Sequence, residues 1–140
     1  MKYEKRPKNK GFGKQQGLPT MKDTNDLRGR TKKFAIQVIR LYSSLAKSTE
    51  AQVLGKQVLR SGTSVGANYR EAFRSRSKAE FTAKIGDCLK ELDETSYWFE
   101  LMADTGIAGQ VKLDPLRKEY DELLAIFTTI AKKCKNTSKD

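Results

Sequence analysis

The side chains able to do chemistry in this chain are a few carboxylates, two cysteines and a large excess of cations. Glu91, Asp93, Glu94 and Glu100 stand close together, and paired carboxylates can move protons or hold a metal ion. The chain has no histidine. That removes histidine acid–base catalysis, Ser-His-Asp and Cys-His triads, and the Glu-x-x-His motif of di-iron bundles. Cys88 and Cys134 lie far apart and form no CxxC pair, so a zinc site would be short of ligands. In a reducing compartment both are expected as free, buried thiols. No nucleophile has a base beside it, so no catalytic residue, cofactor or metal is expected. The carboxylates of this stretch are expected in salt bridges to basic helices, within or between subunits.

Cations dominate what remains. Lys and Arg number 28 against 17 Asp and Glu, a net charge of +11, and the pI is near 9.7. Such a chain attracts polyanions, nucleic acid first and an acidic membrane surface or acidic protein second. The charge is also unevenly laid out. Between Leu27 and Thr49 there is no acidic residue, while Arg28, Arg30, Lys32, Lys33, Arg40 and Lys47 are all basic. Lys33, Arg40 and Lys47 recur every seven residues, which keeps them on one flank of a helix. Solvated helix faces usually mix both signs, and this one does not. A second basic group, Arg70, Arg74, Arg76, Lys78 and Lys84, surrounds a polar junction. Its functional reading is phosphate contact, with Asn68 and Tyr69 adding hydrogen bonds or stacking. Its structural reading is an ion-paired, capped helix junction in which Arg60, Ser64, Asn68, Tyr69, Glu71 and Glu94 fix packing or subunit contacts. Trp98 belongs with the core or an interface.

Four helices must position these groups. Leu27, Thr31, Phe34, Val38, Leu41 and Leu45 step by four and three, the stripe of an amphipathic helix, and Asn25 or Asp26 is its expected N-cap. A second stripe runs Leu54, Val58, Ser61, Val65, Tyr69 and Ala72. It opens at Ser48 or Thr49, with Thr49 and Gln52 spaced as a capping box, and ends around Arg74 to Arg76. Its interior, Ser61-Gly62-Thr63-Ser64-Val65-Gly66, costs helix propensity, roughly 1 kcal/mol per glycine. Small residues there suit close helix contact or a kink. The spacing matches neither a P-loop nor GxGxxG, and no strand precedes it. Ser77 and Glu80 form a capping box for the third helix, whose stripe is Phe81, Ile85, Cys88, Leu92, Thr95, Phe99 and Met102, closed by Gly106. For the fourth, Asp114 is the expected cap and Pro115 the first helical residue. Leu116, Tyr120, Leu123, Phe127, Ile130 and Cys134 follow. The pattern predicts an all-α, antiparallel up-and-down four-helix bundle over residues 26–136. Residues 1–25, with Lys2, Lys5, Arg6, Lys8, Lys10, Lys14 and Lys22 among glycines and prolines, read as a flexible basic arm. Apolar residues beyond the stripes, among them Ile36, Ile39, Val53, Leu59 and Tyr97, point to self-association.

The segment Leu59-Arg60-Ser61-Gly62-Thr63-Ser64-Val65-Gly66-Ala67-Asn68-Tyr69-Arg70-Glu71-Ala72 resembles the bacterial 23S rRNA intervening sequence protein family. The likeness continues through Ser77-Lys78-Ala79-Glu80-Phe81 to Asp93-Glu94-Thr95-Ser96-Tyr97-Trp98-Phe99-Glu100-Leu101. It implies an up-and-down bundle assembled as a homopentamer, with no catalytic activity. It also implies kinship with accessory proteins of diversity-generating retroelements, which bind nucleic acid and a reverse transcriptase. The basic arm has no counterpart in the family pattern.

Together these observations predict a non-enzymatic oligomer that binds RNA or DNA. The alternative is a scaffold for an acidic partner such as a reverse transcriptase or a ribosomal protein. No apolar run approaches the roughly 18 residues of a membrane span and the N-terminus lacks a secretory signal. A cytoplasmic location with no membrane partner is expected.

Overall fold

A computed structural model describes residues 21–138 of the chain. Four α-helices follow in order: α1 Met21–Ser43, α2 Thr49–Ala72, α3 Lys78–Asp104 and α4 Gln110–Ser138. No strand is present among the described residues. The connections 44–48, 73–77 and 105–109 are too short to do anything but reverse direction, so neighbours are antiparallel. Each helix packs against the next, and α1 also meets α4 along the thinnest seam. One end of the bundle carries the α1–α2 and α3–α4 connections; the other carries the α2–α3 connection.

The core is the four stripes. Phe34, Val38, Val58, Val65, Ile85, Leu92, Leu123 and Phe127 are fully buried, and burying each such side chain contributes roughly 1.5–3 kcal/mol. Two aromatic pairs cross the diagonals. Phe34 of α1 meets Phe99 of α3 edge to face at 6.5 Å, and Tyr69 of α2 meets Phe127 of α4 at 5.5 Å. The expected stripes hold throughout except at Leu54, which is half-buried; Ala51 and Gly55 take its place inward.

The glycines explain the α1–α2 contact. A methyl placed on Gly62 would stand 2.9 Å from Val38 Cγ2, and one on Gly66 would stand 3.0 Å from Thr31 Oγ1. The backbone of α2 therefore lies directly on α1 side chains, and α2 remains helical through the segment without a break. One polar pair is enclosed in the core. Ser61 and Thr95 hydroxyls share a hydrogen bond of 2.8 Å, and Thr95 also donates to the Glu91 carbonyl.

Helix ends differ from the sequence reading in four places. α1 starts at Met21 and not at Asn25 or Asp26, because Met21-Lys22-Asp23-Thr24 contains no breaker; Pro19 is the nearest. α2 is capped by Ser48, whose Oγ accepts from the Ala51 amide. The Thr49–Gln52 box does not form: Gln52 donates instead to the Ala46 carbonyl and accepts from the Tyr42 hydroxyl. α2 ends at Ala72, short of Arg74. α4 begins at Gln110, so Pro115 lies inside the helix and Asp114 is not its cap. Pro115 stands in the second turn and has no amide to give the Val111 carbonyl, a loss confined to one hydrogen bond close to the helix start. Ser77 caps α3 as expected, accepting from the Glu80 amide at 3.0 Å, and the Glu80 carboxylate reaches back to the Arg76 amide at 2.7 Å. Gly106 closes α3 with φ of 75°, a left-handed conformation that favours glycine. The expected basic arm lies outside the described residues up to Thr20.

Candidate polyanion interface

The predicted cations divide into two groups. Lys33 lies near the middle of α1, Arg40 in its last turn and Lys47 in the α1–α2 connection, and all three are exposed. Arg70, Arg74, Arg76 and Lys78 gather at the α2–α3 connection. The 24-residue α2 separates the two connections by about 36 Å. The two groups are therefore not one patch.

Ion pairing sorts the candidates further. Lys84 of α3 is held by Glu71 of α2 at 2.7 Å, and this hydrogen bond raises the lysine's pKa. Both residues thus tie two helices together. Arg60 of α2 bridges Glu91 at 3.2 Å and also pairs with Glu94 on α3. These contacts tie α2 to α3 through Arg60, Glu71 and Glu94. Ser64 donates to the Arg60 carbonyl at 2.7 Å within α2. Tyr69 is buried between Phe73 and Phe127, so it offers no face to a nucleotide. Asn68 is half-buried on the same helix. Trp98 is half-buried against Tyr97, and its indole N–H has no hydrogen-bond partner. Among the described residues, Lys33, Arg40, Lys47, Arg70, Arg76 and Lys78 make no ion pair.

The seam between α1 and α4 adds residues that the sequence reading missed. Arg30 of α1 forms two parallel hydrogen bonds to Glu119, each 2.9 Å, and a third to Glu122 at 2.6 Å. The Glu119 hydrogen bonds are the main reason its guanidinium pKa lies above the ordinary value. Beside this clamp a recess of about 360 Å³ opens between Lys33, Phe34 and Gln37 on α1 and Pro115, Lys118 and Glu119 on α4. A second recess of about 250 Å³ continues from Gln37 and Pro115 along Arg40, Leu41, Ser44, Lys112 and Leu116. Lys33 and Arg40 therefore face Lys118 and Lys112 across a groove. Neither lysine of α4 was visible as a partner, because each matters only once α4 returns beside α1.

Both thiols are free and buried. Burial pushes the Cys88 pKa well up, and its Sγ contacts the Val65 carbonyl at 3.6 Å; Cys134 is likewise raised by burial. Among the described residues no three His, Cys, Asp or Glu side chains converge as metal ligands. No described helix is long and apolar enough to cross a membrane.

The sequence pattern of the 23S rRNA-intervening sequence proteins matches residues 24–129. The chain belongs to this family. A crystal structure of an S23 ribosomal protein family member from Bacteroides thetaiotaomicron, itself of unknown function, superposes with a TM-score of 0.73 at 35% identity. The match covers 78% of this chain and 97% of that one. No protein of curated function matches. Family membership agrees with the four-helix architecture and with the resemblance carried by Leu59–Ala72, the helix that bears Gly62 and Gly66.

Proposed function

We propose that this family member is a non-enzymatic nucleic-acid-binding protein that contacts phosphates through basic groups at both ends of the bundle, as an oligomer. One observation carries the reading: six of the eight predicted contact residues, Lys33, Arg40, Lys47, Arg70, Arg76 and Lys78, form no ion pair among the described residues, although seventeen carboxylates are available in the chain. Elsewhere arginine and lysine find carboxylates across helix seams. Unpaired cations on separate surfaces suit an extended polyanion, whose phosphates replace the missing partners and release counterions. Contacts of this kind position a strand and carry little sequence information.

Exposed apolar side chains support oligomerisation. Ile39, Val53 and Tyr97 are each about half exposed, at 45%, 54% and 53%. Ile39 lies one turn from Tyr42, which packs on Gly55 of α2, and Trp98 lies one turn from Glu94, which pairs with Arg60 of α2. Ile39 and Trp98 therefore flank α2, away from the α1–α4 groove, so self-association there leaves the groove open.

The test is binding of labelled RNA and duplex DNA across a salt series. The expected result is a log–log slope of about −0.7 to −0.9 for each phosphate contacted, reduced in R70E and R76E variants with the fold intact by circular dichroism. Binding that is absent at physiological salt, or unchanged in these variants, refutes the reading.

A further inference from the structure

Resting on the nucleic-acid reading, we propose that the α1–α4 groove is a seat for single-stranded nucleic acid, with an unpaired base in the recess floored by Leu41, Pro115 and Leu116 and phosphates on the facing cations.

Three features of the groove lead there. The first is charge. Lys33 and Arg40 on one wall face Lys118 and Lys112 on the other, and none has a carboxylate partner among the described residues. The only two carboxylates in the lining, Glu119 and Glu122, are already taken by Arg30. Five cations against two carboxylates leave the groove lining with a net charge of about +3, so an anion entering it is attracted. Those on α1 are seven residues apart, about 10 Å along the axis, and those on α4 six residues apart, about 9 Å. This is a track for a chain of anionic groups and not a pocket for one.

The second is the change in polarity along the groove. The larger recess holds the Arg30 clamp with Lys33 and Lys118, whereas the second is walled by Leu41, Pro115, Leu116 and the aliphatic stems of Arg40 and Lys112. Gln37 stands where the two meet and offers both a donor and an acceptor. A flat apolar ring with a polar edge can enter the second recess, with the Arg40 guanidinium able to lie against its face and Gln37 reading its edge. A duplex keeps its bases paired and stacked inside and presents only phosphates to such a groove. A strand with unpaired bases can use both halves of it.

The third is the origin of the recess. The first turn and a half of α4, Gln110 to Pro115, runs past the expected start and carries proline where a longer side chain would project. The seam is left open beside Ser44, whose exposed side chain bonds only back to the Leu41 carbonyl at 2.8 Å. The chain's own N-terminal segment is a poor occupant. Lys2, Lys5, Arg6, Lys8, Lys10 and Lys14 against the single acid Glu4 would repel the groove.

The test compares three labelled probes of equal phosphate number by fluorescence anisotropy: single-stranded oligothymidylate, the same backbone with abasic sites, and a duplex. The full chain is expected to bind oligothymidylate roughly tenfold more tightly than the abasic strand, the order of one base's stacking contribution, and more tightly than the duplex. Ser44→Trp, which fills the recess from an exposed position, is expected to remove that preference while leaving duplex binding unchanged. Lys112→Gln is expected to flatten the salt slope for the single strand with or without its bases. Equal affinity for the strand and its abasic form, or a preference that survives Ser44→Trp, overturns the proposal while leaving the broader reading standing if duplex binding persists. Binding of none of the probes refutes both. Displacement of oligothymidylate by polyglutamate at equal charge also overturns the proposal, because it assigns the groove to an acidic protein segment.

Discussion

The glycines of α2 allow a test of the packing with an internal control. Replacing glycine by alanine in a helix stabilises it by about 1 kcal/mol if nothing else changes. Gly86, on α3, is that case: a methyl there meets no atom within 4 Å. Gly62 is the opposite case. Its methyl would stand 2.9 Å and 3.0 Å from the two γ carbons of Val38 and 3.3 Å from its β carbon. Val38 is fully buried and β-branched, so its side chain cannot swing aside, and relief requires α1 and α2 to separate. Overpacking of this kind costs about 1–3 kcal/mol, which exceeds the propensity gain. Gly62→Ala should therefore destabilise by up to about 2 kcal/mol, and Gly86→Ala should stabilise by about 0.5–1 kcal/mol. Urea unfolding monitored by circular dichroism reads both. If Gly62→Ala is as stable as Gly86→Ala, α2 does not lie on α1 as closely as described and the role given to the small residues is wrong.

The remaining predictions concern polar groups. Thr95→Val strands the buried Ser61 hydroxyl and should cost about 1–3 kcal/mol, whereas Ser61→Ala leaves Thr95 its Glu91 carbonyl and should cost less, near 0.5–1 kcal/mol; denaturant midpoints that reverse this order contradict the assignment. Arg30→Ala breaks a bidentate but partly exposed clamp and should cost about 1 kcal/mol at low salt, shrinking as salt rises; a double-mutant cycle with Glu119→Gln measures the coupling. Burial raises the folded-state pKa of Cys88, so its contribution is fully present below the unfolded thiol's pKa near 8.5 and is lost as pH rises above it. Stability should fall by up to about 1.4 kcal/mol per pH unit there, and Cys88→Ala should reduce that slope; an unchanged slope between pH 8.5 and pH 10 refutes the cause.

Much of the fold was legible because a bundle writes itself in one repeat. Phe34, Val38, Phe81, Ile85, Phe99 and Phe127 fall on unbroken three–four spacing, and all are buried. Helix ends were less legible, since they depend on competition between neighbouring signals. Asp114-Pro115 is a strong start signal, yet Gly109 offers an earlier one, with its carbonyl accepting from Lys112 and Leu113, and the gain of burying Leu113 favours the longer helix. The junction residues divided along the same line. Arg60, Glu71 and Glu94 proved to be cross-helix ion pairs, which sequence spacing within one helix cannot reveal. Lys112 and Lys118 went unnoticed for the same reason: they matter only because α4 returns beside α1.

The placement of charge argues that +11 is more than a solubilising coat. α1 and α3 stand on opposite corners of the bundle. From Leu27 to its end α1 has no acid, while α3 carries Glu80, Asp87, Glu91, Asp93, Glu94, Glu100 and Asp104 against three lysines. A coat selected for solubility would mix signs on each face, because mixed faces avoid a large one-signed field. The acid-free stretch of α1 and the acid-rich α3 lie on different sides, so the charge is unevenly distributed around the bundle. The field along α1 is more positive than that along the middle of α3, and the difference is felt within a Debye length of about 8 Å at physiological salt. The family's bundle fold accommodates this polarity without strain because the core stripes and the outer faces are independent. Phe34 and Phe99 meet in the centre while Lys33 and Glu100 beside them carry opposite charge outside.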